Sequence, residues 1–371
     1  GVRRIDGRLI STGRGLGGAW DSEVAAAVTG TSWAALNASI TARRLMWTDD
    51  EGTIDLAGIG TRLEMTWPRM RLRSLNVPNA NVVTAFGEAD FESLAWALEV
   101  EIRDWLAPRL SERGPAEVIA RAEGRGSDVS VPQARLVIAG AEVDAKGRYT
   151  PETAGGPPLL ADVTFAVPPR THGTEPAAMP DSGRWRVEAT VTGELSPLNL
   201  SATGRAVGQD VKAPGEPLAP IEMTWRGGAD TKGAWARTDP FELLGGMWVL
   251  RAAYAGEQTL GSLNISLTEV PLGAVAKVAG APIDLGGVLT AEVDVAAPGL
   301  DLTQLSLSGA WSVERPIADR FGVERGRGRI RTRRGRVDFT DILLELGEGQ
   351  VVGSVGFNLS EPQRLHVELT S

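Results

Sequence analysis

From residue 262 to the C-terminus, apolar and polar residues alternate. Leu263, Ile265 and Leu267 are interleaved with Ser262, Asn264, Ser266 and Thr268. Leu289, Ala291, Val293 and Val295 are interleaved with Thr290, Glu292 and Asp294. Leu305, Leu307, Gly309, Trp311 and Val313 follow, then Val337 and Phe339, then Ile342, Leu344 and Leu346. The last runs are Val351, Gly353, Val355, Phe357 and Leu359, and Leu365, Val367 and Leu369. A period of two places one face of a strand in apolar surroundings and the other in water. Short hairpin signals separate the final runs: Arg334-Gly335, Gly347-Glu348-Gly349 and Glu361-Pro362. Residues 327–370 therefore read as four consecutive antiparallel strands, with a bulge at Asp341 where the register shifts.

The N-terminal half carries the same period. Leu63, Met65 and Trp67 alternate with Arg62, Glu64 and Thr66, and Met70 and Leu72 lie between Arg69, Arg71 and Arg73. LEMTW at 63–67 returns as IEMTW at 221–225, which suggests a repeated unit. Leu94 to Ile102 reads as a strand, followed by a helical turn over 103–110 that ends near Pro108. A second short helix opens at Pro115 and closes at Gly124. A third is expected over Leu272–Ala279, stopped by Gly280. The segments 167–182 and 208–220 are Pro-rich and polar and read as loops. The expected organisation is a β-rich segment over 1–166 with short helices near 103–123, a loop over 167–182, and a second β region over 183–371. The chain opens in what reads as mid-strand and is taken as a fragment of a longer or processed protein.

Composition narrows the chemistry. With 371 residues and 42% hydrophobic content the chain has the makings of an ordered fold of more than one core. There is no Cys, which removes disulfides and thiolate chemistry, and there are only 2 His. His172 falls in a Pro-rich loop and His366 on the polar side of a strand, so both read as surface residues. No metal-ligand spacing and no nucleophile elbow occurs. Gly13 to Gly18 matches G-x-G-x-x-G in form, but Asp21 and Glu23 follow at once, and a hairpin explains the glycines better. A carboxylate pair for glycoside hydrolysis is not singled out among 47 acidic residues. The formal charge of −9 argues against nucleic acid. No cofactor is expected.

Two features stand out. Arg327, Arg329, Arg331 and Arg333 share one strand face. They read first as a solubilising face, and otherwise as a contact for anionic headgroups or a partner. The chain has 11 Trp against 2 Tyr, and Trp67, Trp225 and Trp311 sit inside alternating runs as filling residues.

At residues 262–371 a layout emerges: SLNISL, the Leu-rich PLGAVAKVAG, PIDLGGVL leading into LTAEVDV, LSLSGAWSV, then RGRIRTRRGRVDFTDILLELGEGQVVGSVGFNL. This resembles the C-terminal region of AsmA-like and TamB-like cell-envelope proteins, where Gly-Gly-x-Leu and Gly-x-Val-x-Phe-x-Asp hairpins recur. The resemblance implies a periplasmic, non-enzymatic protein held by an inner-membrane anchor outside this fragment. It implies phospholipid transport between inner and outer membrane or envelope biogenesis, with other envelope proteins as further partners.

Physics adds the form. A sheet of alternating strands must cover its apolar face, and few helices are available here to do so. Bent into a U-shaped groove with a few short helices, a mainly β, elongated antiparallel sheet would offer that face to acyl chains. Each buried methylene contributes about 0.8 kcal/mol, so a whole tail gains on the order of 10 kcal/mol. The expected lining is Leu289, Val293, Leu305, Leu307, Trp311, Phe339, Leu344, Val355, Phe357, Val367 and Leu369. The same residues would serve as the core of a β-sandwich scaffold or adhesion module, which is the alternative.

Overall fold

In the computed structural model the described residues are 2–15, 18–32, 35–49, 52–55, 57–106, 114–138, 140–151, 157–167, 183–211, 217–255, 260–278, 285–298, 306–318, 321–333, 336–347, 349–358 and 361–370. The protein is mainly β and antiparallel. The chain divides into two units, Gly1–Val167 with Glu188–Ser196, and Pro168–Val187 with Pro197–Ser371.

The first unit is a meander of β1 (Val2–Gly15), β2 (Gly18–Ser32), β3 (Ala35–Asp49), β4 (Gly52–Asp55), β5 (Gly60–Thr66), β6 (Arg69–Asn76), β7 (Ala80–Asp90), β8 (Ala95–Trp105), β9 (Ala116–Arg125), β10 (Asp128–Ile138), β11 (Ala141–Tyr149) and β12 (Leu159–Val167). The strand β13 (Arg184–Leu195) contributes to both units. Each strand from β1 to β12 pairs with the next, except that β4 is a side hairpin on β3, which continues to β5.

The second unit holds β14 (Leu198–Gln209), β15 (Ile221–Asp230), β16 (Gly233–Thr238), β17 (Phe241–Leu243), β18 (Gly246–Ala255), β19 (Leu260–Pro271), α1 (Leu272–Val278), β20 (Leu285–Pro298), β21 (Ser306–Ala318), β22 (Phe321–Gly322), β23 (Arg325–Arg333), β24 (Arg336–Leu346), β25 (Gly349–Asn358) and β26 (Glu361–Thr370). It is also a meander, with β17 and β22 as short side strands on β18 and β21. The helix α1 occupies the place expected for it and packs on β19 and β20.

The four strands expected over 327–370 are β23 to β26. The bulge is real: Phe339 pairs with Val355 but Ile342 with Gly353, and Asp341 takes φ 53°. The extra residue returns Ile342 to the same face as Phe339. The last turn differs slightly from expectation. Glu361 and Pro362 already belong to β26, and Asn358 pairs with Glu361 across the turn.

The short helices expected near 103–123 are not present among the described residues. Residues 103–105 continue β8, 107–113 lie outside the described residues, and 116–125 form β9. Ala and Glu favour helix locally, but β9 fits between β8 and β10 with backbone hydrogen bonds on both sides. Tertiary pairing overrides a weak local propensity. The suggested repeat also fails at its tryptophans. Trp67 lies in the turn after β5, whereas Trp225 is inside β15 opposite Gly204. Gly13 and Gly15 end β1 and Gly18 starts β2, where Gly15 pairs with Gly18; Gly17 lies outside the described residues.

Candidate functional site

Strand register decides what each face of the sheet carries, because directly opposed residues share a face. In the second unit one rank runs Leu250–Ile265–Val293–Gly309–Ile330–Phe339–Val355–Val367 through consecutive strands. The neighbouring rank runs Trp248–Leu267–Ala291–Trp311–Gly328. A third pairs Leu289 with Val313, then Gly326 with Leu344 and Val351. Every one of these residues is apolar or glycine.

The first unit repeats the pattern. Val28, Ala38, Leu63 and Leu72 share a face, as do Leu98 and Ala122 beyond Gly87. Ala134, Ala145 and Val163 extend it to the last strand. In sequence the alternation of this half is legible over 63–72 and 94–102 and faint elsewhere, because Ala and Gly hold so many of the inward positions.

Among the described residues this face is not enclosed as a packed second layer would enclose it. The close element contacts are those of ladder neighbours, apart from α1 on β19 and β20 and β17 beside β15. Few apolar side chains are fully enclosed; Val270 beside α1 is one. Most of the apolar face is half-buried, and the accessible surface is 23984 Å². A compact protein of this mass exposes ~14,000 Å².

The opposite face is polar and laced with cross-strand ion pairs. Arg8 Nη2 meets Glu23 at 2.7 Å, Arg44 meets Asp21 at 2.9 Å, and Arg121 meets Glu99 at 2.8 Å. Arg205 meets Glu222 at 2.7 Å and holds its carboxyl below the usual range by hydrogen bonding. Glu23 is buried, and the other pairs are exposed and contribute little to stability. Their main effect is to keep this face in water.

Of the expected lining residues, Leu289, Val293, Leu307, Trp311, Phe339, Leu344, Val355 and Val367 lie on the shared apolar face. Val367, on the last strand, is 50% exposed. Phe357 and Leu369 occupy apolar-face register positions, opposite Val337 and Gly353. Leu305 lies outside the described residues. Trp311 meets Phe339 edge-on, with ring centroids 6.5 Å apart. Its indole N–H is buried without a hydrogen-bond partner among the described residues.

The arginines are placed elsewhere. Arg327, Arg329 and Arg331 oppose Ser312, Ala310 and Ser308 on the polar face, and Arg333 opposes Arg336. Their expected part as a headgroup or partner contact is thus a matter for the polar face, apart from the apolar lining. Arg327 and Arg329 instead edge a solvent-open hollow of about 800 Å³ that also holds Glu292, Ser312 and Asp341. Arg329 faces Asp341 at 3.8 Å there. His366 is exposed and sits 3.3 Å from Glu368; His172 lies outside the described residues.

No protein-family model matches the chain, and no curated protein or solved structure is significantly similar to it.

Proposed function

We propose that this is a non-catalytic lipid-handling protein of the cell envelope that shelters acyl chains on the apolar face of its sheet. The supporting observation is that face itself: ranks of Leu, Ile, Val, Trp and Phe running through strand after strand and left mostly half-buried. A soluble protein leaves such a face open only where something apolar covers it. Curved into a U-shaped groove, the sheet would wrap hydrocarbon, and transfer along it needs no chemical step. Passage of phospholipid between inner and outer membrane is the activity we assign. The periplasm, with an inner-membrane anchor elsewhere in the full protein, is the location we assign. The polar face, with its ion pairs, would stay in water.

Native mass spectrometry of gently purified protein tests this. Phospholipid bound at defined stoichiometry, and uptake of a fluorescent phospholipid by delipidated protein, are the expected results. Delipidated protein that stays folded and takes up no lipid would remove the proposal.

A further inference from the structure

One edge of the first unit carries apolar side chains that its own fold does not use. The turns after β5, β7 and β9 lie at the same ends of their strands, because alternate strands of a meander run the same way. Trp67 and Pro68 make the first turn, Phe91–Leu94 the second, and Gly126–Ser127 the third. Trp67 is 56% exposed and Phe91 39%, yet their rings stack with planes 3° apart and centroids 5.7 Å apart.

Leu94 is 58% exposed and takes φ 57°. That backbone conformation suits Gly or Asn and costs a leucine energy. Solvent and backbone thus both disfavour Leu at this position, which points to a role outside the folded chain.

The edge is also firmly held. The Phe91 amide donates to the Pro68 carbonyl at 2.9 Å, and the Gly126 amide to the Leu94 carbonyl at 2.9 Å. Arg125 Nε donates to the Ser93 carbonyl at 3.1 Å. Asp90 accepts from the Glu92 and Ser93 amides at 3.0 Å each. Behind the turn, Glu64, Thr66, Trp67, Pro68, Arg69, Arg71 and Arg73 line a hollow of about 350 Å³, in which Glu64 pairs with Arg73.

We propose that this turn edge docks on a phospholipid bilayer. Trp67, Phe91 and Leu94 enter the boundary between headgroups and acyl chains, and Arg69, the arginine of β6 nearest the turn, exchanges Asp90, now 3.5 Å away, for a phosphate; Arg71 and Arg73 lie further up the strand and stay with Glu88 and Glu64. Aromatic rings favour that depth, and long basic side chains reach back from it to phosphate. The edge is continuous with the apolar face, since Met65–Met70 and Ala89–Trp96 are the last apolar-face pairs before these turns. Docking stands on the turn residues; its use as the place where lipid reaches the apolar face rests on the function proposed above.

The absence of cysteine makes the test direct. Leu94→Cys provides one thiol for an environment-sensitive fluorophore. Asn81→Cys, near the other end of β7, is the control. With vesicles of phosphatidylcholine and phosphatidylglycerol, the label at 94 is expected to shift to the blue and the label at 81 to stay unchanged. Trp67→Ser should lower vesicle partitioning about tenfold. Leu94→Gly should lower it too while leaving the melting temperature equal or higher, because glycine accepts φ 57°. No shift at 94, equal shifts at both sites, or a shift at 94 that follows protein concentration without vesicles would overturn docking. The last outcome would mean that a second copy covers the edge. Vesicle binding that persists in protein unable to take up fluorescent lipid would keep docking and remove only the groove.

Discussion

The indole of Trp311 lies over Gly328 on the adjacent strand, so closely that a Cβ at 328 would come within 2.8 Å of the ring. The same arrangement recurs in the first unit, where Trp96 lies over Gly124 and a Cβ would meet the ring at 2.7 Å. Trp185 lies likewise over Gly208. A large flat ring thus covers the strand beside it where no second layer does so. This relates the many tryptophans to the many glycines: the sheet packs sideways, within its own surface.

Gly328→Ala should therefore destabilise by about 1–3 kcal/mol, since the ring must move off its strand. Gly349→Ala, where the nearest atom to an added Cβ is 3.7 Å away, should change stability little. Thermal denaturation compares the two. If Trp311→Phe does not reduce the penalty of Gly328→Ala in a double-mutant cycle, the pairing is not the cause.

Val293→Asp should leave the protein folded and cost less than ~3 kcal/mol, because its face has no second layer to trap the charge. Lipid uptake by this variant should fall about tenfold if acyl chains cross that position. Arg331→Gln, on the opposite face, should leave uptake unchanged. Urea denaturation and fluorescent-lipid titration read the two effects separately.

The turn at 90–93 should respond to acid. Asp90 is held below the usual aspartate range, chiefly by the Ser93 amide. A depressed carboxyl stabilises the turn above its unfolded-state value and loses that effect as pH falls through the folded one. Protection of the Glu92 and Ser93 amides, taken relative to intrinsic exchange at each pH, is expected to fall only in that acid window. Asp90→Asn should flatten the pH dependence.

Glu222→Gln, which removes the partner of Arg205, should lower the denaturation midpoint only slightly at low salt and less at high salt. A larger, salt-independent loss on denaturation would mean that this polar face is covered after all.

The alternation of residues determined the meander over 327–370 and the bulge at Asp341, because a period of two is a local property of the chain; the short helix before β20 was legible from its composition and the Gly280 that follows it. Alternation did not determine 103–125, where Ala and Glu favour a helix until neighbouring strands offer their backbone groups. Nor did it place the arginines relative to the apolar lining. Period two puts Arg327 and Phe339 on opposite faces only once the register of β23 and β24, and the bulge between them, are known. The exposed stack of Trp67 on Phe91 was likewise beyond its reach. Those rings are 24 positions apart and meet only because two turns come to lie side by side at one end of a folded sheet.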